Sequence, residues 1–267
     1  MTMYSPEDLK KRDCCCTEWE YHPHTILYNI LNRKDSYGHP DNQWACSRMH
    51  SICHCKQQKL VCLKNPKVTC QAVSAVLLKT VHFMKSLPSF HQLPSRDQLS
   101  LLQNCWVPLF VLGLAQEHVT FEVTDMPTAS LLRKILLNDQ KQEHRDTDYS
   151  SPTLATVYNL KSCLNQFWSL DLTAKEYAYL KGAVLFNPDI SNLISYKVIR
   201  GLQKEAQQAL HELIHTLHPN IPGHFTNIFL AASALHTVAQ SFITELFFRP
   251  IIGQTDINEL LLEILFS

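Results

Sequence analysis

Histidine and glutamate side chains form the pattern in this chain that most resembles a reactive site, His211-Glu212-Leu213-Ile214-His215. Two histidines one helical turn apart can bind zinc, and the glutamate beside them can act as a general base, as in zinc peptidases. His218 and His224 follow, but neither stands at the spacing of a third metzincin ligand. The chain has 14 histidines, so a chance match on an ordinary packed helix is the better interpretation. We therefore predict no catalytic residue, no enzyme and no metal at this motif.

Cysteine is the second ligand type with an uneven distribution. Of the ten cysteines, all but Cys105 and Cys163 precede residue 71. These residues could bind zinc through thiolates and an imidazole, namely Cys53-His54-Cys55 together with Cys46, Cys62 and Cys70. Their spacings, however, match no recognised zinc finger. Free thiols are the favoured interpretation, because thiols of intracellular proteins are kept reduced. Zinc binding by this segment stays open as an alternative.

The pattern Leu-x-x-Ile-Leu occurs three times and has a different chemistry. Its aliphatic side chains stand at i, i+3 and i+4, so they form one stripe on a helix that can enter a shallow groove of a partner. The copies are Leu27, Ile30 and Leu31; Leu132, Ile135 and Leu136; and Leu261, Ile264 and Leu265. On periodicity alone, such a stripe is more often part of a core. The first copy is harder to explain in that way, because it lies outside the main helical body.

Composition excludes several classes of protein. The 267 residues include 24 Lys and Arg, 24 Asp and Glu, and 45% hydrophobic residues, which is typical of a folded globular chain. Zero net charge gives no bulk attraction to nucleic acid or to an anionic membrane. We find no signal peptide and no uninterrupted apolar stretch of membrane-spanning length, so we expect a soluble intracellular protein. No glycine-rich phosphate loop or nucleophile elbow is present, and we predict no cofactor.

The elements that position these motifs are predicted to be helices. The 6 glycines are too few for the tight turns of an all-β fold. Apolar residues at three- and four-residue steps predict a helix over 73–87 that ends before Pro88. Residues 96–116 are apolar almost all round, which indicates a buried central helix. Thr173 and Glu176 predict the capping box of a later helix.

Weaker signals complete the prediction. Helices are predicted near 25–32 and 130–137, after Ser151-Pro152, over about 192–217 and 224–248, and over 257–265 after Asp256, with Arg249-Pro250 stopping the penultimate one. Alternation over 119–123 predicts a strand of one small hairpin, and 138–151 predicts an exposed loop. We divide the chain into an N-terminal tail (1–20) and one domain (21–267). That domain comprises a Cys-rich lead-in with one interaction helix (21–70) and a helical core (71–267).

The segment 89–102, Ser-Phe-His-Gln-Leu-Pro-Ser-Arg-Asp-Gln-Leu-Ser-Leu-Leu, resembles the signature of nuclear-receptor ligand-binding domains. Its diagnostic part is Asp97-Gln98 followed by the paired Leu101 and Leu102. The likeness covers 71–267 and includes segments 105–110, 167–170, 175–177, 185–188 and 247–253. Within this family the chain is most similar to the atypical receptors that lack a zinc-finger DNA-binding domain. It agrees with them in having no Cys-x-x-Cys pair, which such a module needs.

The resemblance implies an all-α fold, an antiparallel three-layer helical sandwich of the ligand-binding-domain type with one small β-hairpin. It also implies a transcriptional co-repressor of the nucleus and cytoplasm that binds the ligand-binding domains of other nuclear receptors and recruits co-repressor proteins. Direct DNA or membrane binding is not expected, and both a homodimer and a heterodimer remain open. The Leu27 and Leu132 copies of Leu-x-x-Ile-Leu match the motifs that engage target receptors.

The resemblance further assigns a coregulator groove to Lys85, Gln103 and Glu263. In the family, a basic residue faces the C-terminal carbonyls of a docked helix and a glutamate faces its N-terminal amides, so both ends of the helix dipole are complemented. Gln103 stands where many receptors carry a second basic residue. We hypothesise that the last helix, with Leu261, is both a wall of this groove and a ligand for such grooves. The alternative function is a ligand-gated receptor, with Phe83, Met84, Trp106 and Phe121 lining or filling its pocket.

Overall fold

Helices dominate the computed structural model, which describes residues 60–125 and 152–267. The helices are α1 (Pro66–Ser86), α2 (Pro88–His91), α3 (Ser95–Gln116), α4 (Leu154–Leu170), α5 (Ala174–Leu185), α6 (Tyr196–Leu217), α7 (His224–Ala234), α8 (Gln240–Ile243), α9 (Arg249–Ile252) and α10 (Ile257–Phe266). The predicted all-α fold of the ligand-binding-domain type is confirmed. The segments predicted as helices at 25–32 and 130–137, and the loop 138–151, lie outside the described residues.

The central helix is α3, as its apolar composition predicted. All of its residues from Cys105 to Ala115 are buried, including Pro108 inside the helix. By length and composition α3 could cross a membrane, but 72% of its most apolar window is buried within the protein, as in the core helix of a globular domain. It packs against α1, α4 and α5, while α5 packs on α6. At Gly113, a Cβ atom would lie 2.7 Å from Val76 Cγ1, so only glycine lets α1 approach so closely.

The β structure differs from the predicted hairpin. Strand β1 (Val61–Leu63) pairs antiparallel with β2 (Val123–Asp125), and Val61 lies opposite Asp125. These strands are far apart in the sequence, so no hairpin turn joins them. The strand also begins at Val123 instead of covering 119–123. Its bounds are set by pairing with Val61–Leu63, a partner that the alternation within 119–123 does not reveal.

Several helix ends also differ from the prediction. Helix α1 begins at Pro66, before the predicted start of the helical core at 71, with proline at a first-turn position that needs no N–H donor. Thr153, not Ser151, caps α4, since Thr153 Oγ1 accepts the Thr156 N–H and Thr156 Oγ1 accepts the Thr153 N–H. The predicted capping box of Thr173 and Glu176 is confirmed.

The predicted helix over 224–248 is interrupted. A 3₁₀ turn (Leu235–Thr237) follows α7, and a π turn (Thr244–Phe248) joins α8 to α9. Arg249-Pro250 does not stop the helix. The Arg249 N–H bonds Thr244 O, five residues back. The π turn therefore ends directly before Arg249-Pro250, where Pro250 has no N–H to donate to the helix.

The diagnostic Asp97 has a structural role. Its side chain is fully buried, and its two carboxylate oxygens accept the backbone N–H groups of Ile194 and Ser195 at 2.8 and 2.7 Å. The start of α3 is thereby fixed to the turn that leads into α6. Hydrogen bonds to a charged acceptor are among the stronger ones in proteins.

We predict that Asp97→Asn lowers the free energy of unfolding by about 2–4 kcal/mol, because the new amide N–H₂ faces a backbone donor that loses its acceptor. Urea denaturation of the purified chain measures this change. The neighbouring exposed Arg96 provides the control, and Arg96→Gln should stay within about 0.5 kcal/mol of the parent. Equal stability of the two variants would show that Asp97 does not anchor this turn.

Candidate coregulator groove

A surface groove of about 410 Å³ lies where the C-terminal part of α1 meets the end of α10. Its lining residues are Leu78, Lys79, His82, Lys85, Ile264 and Ser267. Two residues predicted separately, Lys85 of the groove and Ile264 of the last helix, therefore line the same groove. This groove is the candidate functional site of the described residues.

The sequence of α10 explains how the helix docks. Asp256 caps its N-terminus by accepting the Asn258 N–H, as predicted, and Glu259 lies in the first turn. Ile257, Leu261 and Leu265, at four-residue steps, are buried, and α10 packs on α1. Ile264 is half-buried, whereas Glu263 is exposed. The Leu-x-x-Ile-Leu stripe of α10 is therefore turned towards the body of its own chain.

Lys85 joins α1 to the end of α10. It lies in the last turn of α1, and its Nζ donates a hydrogen bond to Ile264 O at 3.4 Å. This carbonyl is among the last four of α10, which lack an N–H partner within a regular helix, and it also accepts the Ser267 hydroxyl at 3.0 Å. A lysine at that end also complements the negative end of the helix dipole. Lys85 thus binds the C-terminal end of the chain's own helix, which is the role that the resemblance implies for it towards a docked partner helix.

The other two predicted groove residues remain accessible. Gln103 is exposed on α3, which packs on α1, and Glu263 is exposed on α10. No hydrogen bond joins Gln103 to Lys85 or Glu263 in the described part of the chain. The docking copies at Leu27, Ile30 and Leu31, and at Leu132, Ile135 and Leu136, lie outside the described residues, so both stay predictions.

The interior between the helix layers is filled by side chains around Trp106. Met84 and Trp106 are fully buried, and Phe121 is nearly so. The Trp106 ring contacts Phe110 and Phe248 with centroids 6.2 Å apart. Of the residues predicted to line or fill a ligand pocket, these three belong to the core, while Phe83 is half-buried. This part of the chain gives no support to the ligand-gated alternative.

The cysteines of the helical body are buried thiols. Cys105 Sγ donates to Leu185 O and Cys70 Sγ to Phe247 O, each at 3.4 Å. Burial raises the pKa of Cys105 to about 12 and that of Cys163 to about 11. At neutral pH both are protonated, and a protonated thiol is neither a good nucleophile nor a metal ligand. For these residues the structure agrees with the predicted free thiols.

The histidine motif does not belong to a group of three or more potential metal ligands among the described residues. His211, Glu212 and His215 are all exposed on α6, and the His211 ring packs edge-on against Phe225 at 5.0 Å. The three side chains that could hold a metal are instead Glu176, His218 and His224. Sequence analysis missed this cluster because it interpreted Glu176 only as a capping residue. The available signal was the pair of histidines at the two ends of the α6–α7 loop.

The helical fold is that of a ligand-binding domain, and comparison with known proteins assigns the same class. Residues 57–252 match the family of ligand-binding domains of nuclear hormone receptors, and the chain belongs to this family. Its members are transcription regulators and not enzymes, and the family indicates a nuclear location.

Individual relatives narrow the resemblance further. The chain is 46% identical over 255 residues to nuclear receptor subfamily 0 group B member 2 of Rattus norvegicus, covering 94% of this chain and 96% of that protein. The Homo sapiens protein of the same name is 47% identical over 239 residues, covering 88% and 90%. Nuclear receptor subfamily 0 group B member 1 of Sus scrofa is 37% identical over 278 residues, covering 97% of this chain and 58% of that protein. The predicted resemblance is confirmed.

We predict that Lys85→Met speeds amide hydrogen exchange over α10 about two- to fivefold, because the helix loses a cation at its C-terminal end. Hydrogen–deuterium exchange followed by mass spectrometry measures this effect. Lys79→Met on the same helix is the matched control, since Lys79 Nζ bonds Glu117 Oε2 at 2.8 Å and not α10. The same exchange rate in both variants would mean that Lys85 does not hold α10.

Proposed function

We propose that this chain is a transcriptional co-repressor that binds the ligand-binding domains of other nuclear receptors and does not bind DNA itself. The observation that carries the proposal is the contact between Lys85 Nζ and Ile264 O. It joins a groove lysine to the C-terminal end of a Leu-x-x-Ile-Leu helix. The chain contains the same pattern at Leu27 and Leu132, and other members of its family are expected to offer a similar groove.

Physical complementarity supports docking by these copies. On α10 the first and last residues of the stripe, Leu261 and Leu265, are buried against the body. The stripes at 27–31 and 132–136 carry the same aliphatic types at the same spacing. Burying each aliphatic side chain contributes about 1.5–3 kcal/mol, from which the ordering of the segment subtracts. Three side chains therefore supply enough binding energy for a specific but modest affinity.

Repression follows from occupancy of the groove. Coactivators dock a helix in the same place, so a docked Leu27 or Leu132 helix excludes them. Other surfaces of the chain would recruit co-repressor proteins while it stays on the receptor. This activity is exercised in the nucleus, and we include the cytoplasm as a second location. The chain would reach its target genes as part of such an assembly, or as a homodimer or heterodimer.

Helix α10 has two roles in this proposal. Docked on α1, it is a wall of the groove, and folded back into the groove it would block activator recruitment by this chain. Released, its Leu261, Ile264 and Leu265 stripe competes for the groove of another receptor. Leu261→Ala tests this hypothesis, because loss of repression with unchanged docking of α10 on its own body would count against it.

We predict that Leu27→Ala/Leu31→Ala and Leu132→Ala/Leu136→Ala each weaken binding to a target receptor by at least about tenfold, because two buried aliphatic contacts are removed. The measurement is binding of the full chain to a panel of purified receptor ligand-binding domains. A coactivator peptide serves as the competitor, and it should displace the parent chain.

Matched controls are Asn29→Ala and Arg133→Ala, which lie inside the two motifs but off the aliphatic stripe. A circular-dichroism melt of every variant separates lost binding from lost folding, since truncating a core leucine can destabilise a domain by about 2–5 kcal/mol. Unchanged affinity in both double variants, or binding that the peptide does not reduce, would contradict docking. Binding to no receptor by a folded parent chain would favour the ligand-gated alternative.

A further inference from the structure

We propose that Glu176, His218 and His224 form a zinc site that fastens the α6–α7 loop to the N-terminal turn of α5. This site is independent of the groove and of the proposed co-repression. The three residues come from three elements: Glu176 from α5, His218 from the end of α6 and His224 from the start of α7. One ion bound to them would cross-link all three.

The two distances from the carboxylate to the histidines fit tetrahedral coordination. Glu176 Oε1 lies 3.3 Å from His218 Nε2 and 3.4 Å from His224 Nε2. In a tetrahedron with metal–ligand distances of about 2.0–2.1 Å, ligand atoms are about 3.3–3.4 Å apart. All three potential ligand atoms lie within 4.8 Å of one another. The site therefore requires only a small adjustment to hold zinc.

Burial of these three polar atoms costs free energy, and a bound cation would offset this cost. Relative exposure of the side chain is 0% for Glu176, 8% for His224 and 24% for His218. Glu176 Oε1 and both Nε2 atoms are buried and have no hydrogen-bond partner of good geometry among the described residues. A buried polar atom without a partner costs about 1–3 kcal/mol, and more when it is charged. Glu176 Oε1 lies within ion-pair distance of both imidazoles, and one cation shared by the three atoms would satisfy all of them.

The carboxylate is held in place for this task. Its other oxygen, Glu176 Oε2, accepts hydrogen bonds from the backbone N–H and the hydroxyl of Thr173, both at 2.7 Å. This capping box leaves Oε1 directed at the histidines. Partners that orient a ligand in this way are a regular feature of metal sites.

The loop geometry brings the two histidines together. The His218 backbone N–H ends α6 by bonding Ile214 O at 2.8 Å. Gly223 has φ +81°, a left-handed conformation that favours glycine, and directly precedes His224 at the start of α7. The His218 and His224 ring centroids are 4.5 Å apart.

The donor set selects the kind of ion. Two imidazoles and one carboxylate suit zinc, whereas calcium and magnesium take oxygen ligands. Competing ligands in the described chain are poor, since Cys105 and Cys163 are buried thiols with raised pKa and His211 and His215 do not converge with the cluster.

The test uses the full chain, stripped of metal by a chelator and titrated with zinc ions alone. We expect a zinc-dependent rise in Tm of about 5–10 °C when free zinc is a hundredfold above Kd. The rise should be lost in His218→Asn, His224→Asn and Glu176→Gln. The last change keeps the capping box, in which Gln can replace Glu. His211→Asn/His215→Asn is the matched control and should respond like the parent.

Cobalt(II) substitution distinguishes this site from the N-terminal cysteines. Nitrogen and oxygen ligands give visible d–d bands without thiolate-to-cobalt charge transfer, and those bands should disappear in His224→Asn. Thermal melts in the presence of chelator show whether each variant folds. If a variant does not fold, the cobalt spectrum of the parent chain alone tests the site. The proposal is overturned if the variants keep the parent's Tm response, if zinc leaves the parent's Tm unchanged, or if cobalt shows only thiolate bands.

Discussion

Burial of α3 from Cys105 to Ala115 is the constraint on which the rest of the structure depends. A helix that is apolar on all sides is stable only when other elements enclose it, and α1, α4 and α5 do so. Asp97 fixes its first turn to the entry of α6, and Gly113 lets α1 come close. Because α1 is held on α3, Lys85 in its last turn has a defined place at the rim of the body. The groove is thus a consequence of how α3 is enclosed.

Local signals predicted most of the fold. The three- and four-residue apolar spacing located α1, and the all-round apolar composition of 96–116 located α3. The capping box of Thr173 and the cap at Asp256 marked the starts of α5 and α10. Signals were absent where the determining partner is distant in the sequence. The pairing of β1 with β2 and the π turn before Pro250 depend on contacts that no local pattern contains. The helix start at Thr153 was missed because Ser151 is an equally plausible cap.

The candidate sites divide in the same way. The stripe of Leu261, Ile264 and Leu265 could be predicted from its spacing within one element, whereas Lys85 was predicted from the family resemblance. The cluster of Glu176, His218 and His224 could not, since its members converge only through the turn after α6. Conversely, His211 and His215 have metal-binding spacing, yet both project from the exposed side of α6. Spacing along one helix shows which side chains share a face, but not what that face contacts.

Self-docking of α10 has a consequence for any partner helix. A tethered helix competes at the high effective concentration that its short connection to the body imposes, so an external helix must displace it. The connection between α9 and α10 is only the segment 253–256, which keeps this concentration high. The apparent affinity for an external helix that uses the α10 position on α1 would be reduced by the fraction of molecules in which α10 is docked. The Glu176 cluster lies on α5, α6 and α7, whereas the groove lies on α1 and α10, so we infer that metal binding would affect stability rather than partner choice.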